Sequence, residues 1–325
     1  MFLSVPFLVP VLAVLAGLVE MVLAWRALVW LRRRNSGPVL ERESHGVRRR
    51  AVQALADAAL AAGAGLGGAS LLSQATGPVA ALMLAVLIRA LWCWPWPKRV
   101  RRDLALMLPL AGLVGLVQTP LAVWVGWCVL VLWRELVPSG GRRLTPFRTM
   151  EGFETFLSDE GRATGQLNGR AEGIFWHRRI VLNDALVAAL PPGQLAAVVA
   201  HEAGHLHLRH REWFTLWRLG LGGLAVWGVP DAVLLVLAYP ALALWIKPLE
   251  TLMIRRWERQ ADSYAMARAG AANFGQALER LYGANATAPA PEPLWAAFHH
   301  PHPVPSMRLA STKVGVVANG EGRAG

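Results

Sequence analysis

Leu195-Ala196-Ala197-Val198-Val199-Ala200-His201-Glu202-Ala203-Gly204-His205 decides how the rest of the chain is read. Pro191-Pro192-Gly193 punctuates the chain just before it, and the apolar run that follows predicts a helix. On a helix, residues four apart lie one turn above each other, so the imidazoles of His201 and His205 reach toward one point. A zinc ion accepts such nitrogens at about 2.0 to 2.1 Å. Glu202 then faces the open side of the metal, where a carboxylate can take a proton from a water held there and return it to a leaving amine. Ionisable groups emerging from so apolar a helix are costly unless paired or bound to metal, which separates this pattern from a solvated surface helix.

A further ligand comes from Arg256-Trp257-Glu258-Arg259-Gln260-Ala261-Asp262, where the two carboxylates are four apart and share a helix face. Glu258 completes a His, His, Glu set for one zinc ion per chain, and Asp262 is assigned to the free ring nitrogen of His201. Three ligands plus a general base describe a catalytic site, whereas a closed structural site fills its fourth position with protein. His177, His207 and His210 read as surface or supporting groups.

Around this segment, the 325 residues are 54% hydrophobic and 17% charged, with a mean hydropathy of +0.37. That balance excludes disorder and most ordinary soluble enzymes. Apolar runs at 2–31, 51–72, 78–96, 104–133 and 214–246 meet the spanning requirement of about 20 residues. The first reads as an anchor, because it lacks a basic start and is followed directly by Arg32-Arg33-Arg34. The run at 104–133 is expected to turn near Gln118-Thr119-Pro120, and that at 214–246 near Gly228-Val229-Pro230-Asp231.

Lys and Arg number 33 against 21 Asp and Glu, a formal net charge of +12. The cations cluster beside apolar runs, at 32–34, 48–50, 98–102 and 142–143, a positive-inside arrangement that speaks against nucleic acid as the partner. It puts the polar part on the cytoplasmic side of a membrane, expected to be a bacterial cytoplasmic membrane. Cys93 and Cys128 lie within apolar runs and read as reduced thiols. The expected organisation is a transmembrane region at 1–137, with three spans and the hairpin at 104–133. A polar domain at 138–312 follows, interrupted by the apolar hairpin at 214–246, and a disordered tail at 313–325 ends the chain.

Several of these features together resemble the integral-membrane gluzincin peptidases that include the HtpX heat-shock protease and the type I CAAX prenyl protease. The resemblance rests on His201-Glu202-Ala203-Gly204-His205 with its internal glycine, His210 five residues on, Glu258 to Asp262 after an apolar hairpin, and His302-Pro303 with Arg308. Arg178-Arg179-Ile180-Val181-Leu182-Asn183-Asp184 is similar to the family's edge strand and the turn leading into its metal helix. It covers about 168–309, and it implies a mainly α, multi-pass helical membrane protein with a zincin-like α+β metalloprotease domain, a small edge sheet beside metal-binding helices.

The implied activity is zinc-dependent endoproteolysis of membrane or membrane-proximal polypeptides, with the substrate lying as a strand beside the metal helix. His302 and Arg308 take the roles of binding substrate and stabilising the oxyanion, an effect on the order of a few kcal/mol in the transition state. Asn168 stands where the CAAX-type members place a substrate-contacting asparagine, but Gly169 follows it in place of a small-then-aromatic pair, and a plain turn residue is the other reading. Three readings compete with this one. A BlaR-type signalling metallopeptidase that cleaves a regulator is disfavoured by Gly204 and His302-Pro303. An inactive zinc-binding membrane scaffold would not need Glu202. A transporter would place ionisable residues mid-span, whereas most of Glu20, Arg26, Asp57, Arg89, Arg218 and Asp231 sit near run ends.

Overall fold

The computed structural model describes residues 5–34, 37–92, 108–117, 119–136, 144–229, 231–285, 287 and 290–321. Six helices lead: α1 (Val5–Arg34), α2 (Gly37–Gly63), α3 (Ala69–Thr76), α4 (Pro78–Trp92), α5 (Leu108–Val117) and α6 (Pro120–Leu136). Then come β1 (Thr145–Met150), β2 (Phe153–Ser158), α7 (Glu160–Thr164), β3 (Gly169–Glu172), β4 (Arg179–Asn183) and α8 (Asp184–Ala189). The rest is α9 (Pro192–His207), α10 (His210–Gly228), α11 (Ala232–Ala243), α12 (Lys247–Ala269), α13 (Ala271–Ala284), α14 (Pro293–His299) and α15 (Pro305–Glu321). These elements form two compact units, one of 1–25, 46–141 and 214–246, the other of 26–45, 142–213 and 247–325.

The first unit is helical, and alanines share its interior with valines and leucines. Ala13, Ala61, Ala81, Ala85 and Ala238 are fully buried, while Leu15, Leu18, Val22, Trp25, Leu66, Leu116 and Leu224 face outward. Large apolar groups turned outward suit a lipid surround, and the buried alanines allow the close backbone approach that drives helix packing there. Trp127 and Trp124 of α6 donate from Nε1 to the carbonyls of Arg218 and Leu219 on α10, at 3.0 and 3.2 Å. Three described stretches are long and apolar enough to cross a bilayer: Leu8–Arg34, Glu43–Thr76 and Ala232–Ala269.

Three stretches gain detail here. The charged stretch that follows α1 is helical from Gly37 onward, since Gly37-Pro38 suits a first turn. The span at 51–72 is one long helical stretch with a π-helical segment at Ala64–Gly68, where Gly67 has φ 114° and kinks it. The run at 104–133 breaks between α5 and α6, where the Thr119 hydroxyl accepts the Ala122 N–H at 3.2 Å. Cys128 is a free thiol; Cys93 and the basic clusters at 98–102 and 142–143 lie outside the described residues.

The second unit carries a four-stranded sheet in the order β1-β2-β4-β3. Glu151 and Gly152, with φ of 51° and 80°, form the tight turn of the β1–β2 hairpin. β2 and β4 are parallel, and β3 pairs antiparallel with β4. The segment expected at the sheet edge is therefore interior: Ile180, Val181 and Leu182 are consecutive and all fully buried, which requires cover on both faces. The edge is β3. Leu195, Val199 and Leu206 of α9 pack with Ile180, Leu182 and Leu186, so the metal helix rides on the sheet. At the far end, the tail expected to be disordered from 313 continues as helix to Glu321, because α15 is already nucleated at Pro305 and propagation needs only one bond per residue.

Candidate metal centre

α9 and α12 meet at Gly204. A Cβ on this residue would lie 3.2 Å from Ala261 Cα and 3.2 Å from Tyr264 Cβ, so glycine is what lets the two helix backbones come this close. Side chains from both then converge. His201 Nε2 and His205 Nε2 are 3.3 Å apart, and Glu258 places Oε2 3.6 Å from the first and Oε1 3.4 Å from the second. Zinc bonds of about 2.0 to 2.1 Å in a tetrahedral shell put neighbouring ligand atoms about 3.3 to 3.4 Å apart. The two imidazole nitrogens meet that requirement, and the Glu258 carboxylate brings one oxygen within 3.6 Å of the first and the other within 3.4 Å of the second. Glu258 is buried, and its Oε2 accepts no well-directed hydrogen bond although His302 Nδ1 lies 2.9 Å away, a situation a divalent cation would relieve. Among the described residues, this is the group that could hold a metal ion.

Each histidine is backed at its other nitrogen. Asp262 Oδ1 lies 3.0 Å from His201 Nδ1, and Arg308 grips the same carboxylate with Nε at 2.9 Å and Nη2 at 2.5 Å. Burial alone would lower the Arg308 pKa; Asp262 overrides it and raises it, keeping the guanidinium charged. On the other side, His205 Nδ1 is 3.1 Å from His210 Nδ1, and His210 Nε2 is 3.0 Å from Gln260 Oε1. Burial, and then the neighbouring His205, lower the His210 pKa to about 4, so this ring is neutral at pH 7. A neutral His210 donating to Gln260 has a lone pair on Nδ1. His205 then carries its own proton on Nδ1 and turns a free Nε2 toward the centre. Phe274 stacks on His201, and Trp257 on His210.

The remaining predicted residues divide. Glu202 accepts a hydrogen bond from the Ala171 N–H of edge strand β3 at 2.7 Å. His302 is two-thirds exposed beside Glu258. Arg308 is buried and pairs with Asp262, as a cation removed from water pairs with the nearest anion, and its Nη1 lies 3.9 Å from Glu258 Oε2. The Asn168 side chain is exposed, while its main chain donates to Asn183 Oδ1 at 3.3 Å and accepts the Asn183 N–H at 2.9 Å at the start of β3. His177 and His207 are exposed.

The fold and the side-chain set define a class, a multi-pass membrane metallopeptidase with a possible metal site between α9 and α12. Residues 149–314 match Peptidase family M48, more than half of the chain. The chain belongs to that family. It is 27% identical over 176 residues to a CAAX prenyl protease 1 homolog of Arabidopsis thaliana, covering 47% of this chain and 42% of that protein. A homolog from Dictyostelium discoideum is 28% identical over 171 residues, covering 46% and 40%. The matches thus span about two fifths of those relatives' length. The crystal structure of S. mikatae Ste24p shares the fold, with a TM-score of 0.68 at 16% identity over 96% of this chain and 99% of that one.

Proposed function

We propose that the chain is a zinc-dependent endopeptidase that cuts membrane or membrane-proximal polypeptides, working from the cytoplasmic side. The observation that carries this reading is the convergence of His201, His205 and Glu258 as a group that could hold a metal ion, with Glu202, a carboxylate outside that group, next to His201 on the same helix. When bound there, zinc supplies Lewis-acid polarisation and lowers the pKa of water toward about 7.

The chain supplies the rest. Glu202, held against β3 by the Ala171 N–H, is aimed to remove a proton as the new C–O bond forms, and to deliver it to the amine nitrogen as the C–N bond breaks. Beyond the Ala171 N–H that Glu202 takes, the outer edge of β3 offers main-chain groups on which an extended substrate can lie as an added strand. His302, exposed beside Glu258, donates from its ring to the developing oxyanion. Arg308 and Asp262 act through His201, fixing its ring and tautomer.

Glu202→Gln tests the reading. Purified full-length variant should retain zinc while its hydrolysis of fluorescein-labelled casein disappears, and a variant that still cleaves casein would rule out the role given to Glu202.

A further inference from the structure

Helix α14 has only seven residues, yet it is fixed at both ends. At its start, the buried Glu292 carboxylate accepts the Trp295 N–H at 2.6 Å and pairs with Arg26 at 2.6 Å. Trp30 Nε1 donates to the Ala290 carbonyl at 3.0 Å, just upstream. At its end, the Arg255 guanidinium donates Nη2 to the Ala296 carbonyl at 2.7 Å, and both Nη2 and Nε to the His300 carbonyl at 3.1 and 3.2 Å. Carbonyls at a helix C-terminus are short of partners, and a cation there is well placed.

Arg255 stands on α12 one turn before the ligand Glu258. The same helix therefore holds the backbone of His300 through Arg255 and faces the His302 ring through Glu258, whose Oε2 is 2.9 Å from His302 Nδ1. Only Pro301 separates the two histidines, and its locked φ leaves little slack between them. The His302 side chain is 65% exposed, so burial does not fix it; what holds it are its contact with Glu258 and the backbone that carries it.

We propose that Arg255 is a positioning residue for His302, setting where the imidazole stands relative to the metal ligands and the scissile bond. This rests on the peptidase function proposed above. The guanidinium is suited to the task because its planar fork bridges two carbonyls at once, which a lysine ammonium on a flexible stem does less well.

The test compares Arg255→Met, Arg255→Lys, His302→Ala and the double variant Arg255→Met/His302→Ala, as full-length protein in detergent micelles with fluorescein-labelled casein. His302→Ala should lower kcat about 100-fold with KM nearly unchanged. Arg255→Met should lower kcat about 10-fold with KM and zinc content unchanged, and Arg255→Lys should recover part of the loss. The double variant should match His302→Ala within about twofold, because a positioner has no effect once the group it positions is gone. Additive losses, or zinc lost from Arg255→Met, would make Arg255 a merely structural residue and overturn the proposal. Should the Met variant fold poorly, the Lys variant carries the same cycle. If His302→Ala keeps full kcat, the role of His302 and this proposal fall together; a His302→Ala loss with an additive Arg255 effect sinks this proposal alone.

Discussion

The two units differ in what their interiors carry. Alanines, valines and leucines fill the first, where Glu20, Asp57 and Glu135 are scattered buried acids, whereas the second gathers imidazoles, carboxylates and a guanidinium into one group beside its aliphatic core. In the first, a buried side chain contributes mainly its volume, and a change is felt by its immediate neighbours. In the second, Arg308 holds Asp262, Asp262 faces His201, Gln260 holds His210 and His210 faces His205, so a change at any of them reaches the metal site. Glycine serves both units in one way. A Cβ on Gly17 would lie 2.8 Å from Ala58 Cβ, much as one on Gly204 would crowd Ala261.

Substitutions can break this contrast, and the largest effect belongs to the ligands. Glu258→Gln removes the anionic ligand, so the purified variant should carry almost no zinc by metal analysis and cleave no casein. Asp262→Asn comes next: it leaves the His201 ring and Arg308 without their anion, and zinc affinity measured by chelator competition should fall about 10- to 100-fold. His210→Ala should weaken zinc about 10-fold, since His205 loses the acceptor that fixes its tautomer. The smallest effects form a matched pair. Gly204→Ala and Gly17→Ala should each lower stability by about 1 to 3 kcal/mol in thermal unfolding, through overpacking between helices. Only Gly204→Ala should also weaken zinc. Equal zinc affinities in the two alanine variants would remove the distinction between a packing unit and a coupled polar unit.

What the sequence made legible follows from periodicity. His201 and His205, and Glu258 and Asp262, are four apart, and a helix alone brings each pair to one face. The apolar runs announced the first unit in the same way, and the break near Thr119 had Pro120 as its marker. His210 had no such signal. Five residues along a straight helix would turn it about 140° away from His205. It returns because α9 stops at His207 and Arg209 adopts φ 57°, starting a new helix in a new direction. Ala171 was invisible for a different reason: its contribution is a backbone N–H, which every residue except proline carries. The interior place of β4 did leave a trace in Ile180-Val181-Leu182, an unbroken apolar run where an edge strand would alternate. For Arg308, the pairing with Asp262 depends on how α12 and α15 meet, which no local pattern encodes.

Zinc K-edge X-ray absorption on the purified full-length chain tests the central claim most directly. The account predicts about one zinc per chain, with nitrogen and oxygen neighbours alone at about 2.0 to 2.2 Å and the outer-shell scattering of two imidazoles. A sulfur neighbour at about 2.3 Å, or a preparation that cleaves casein without bound zinc, would contradict it.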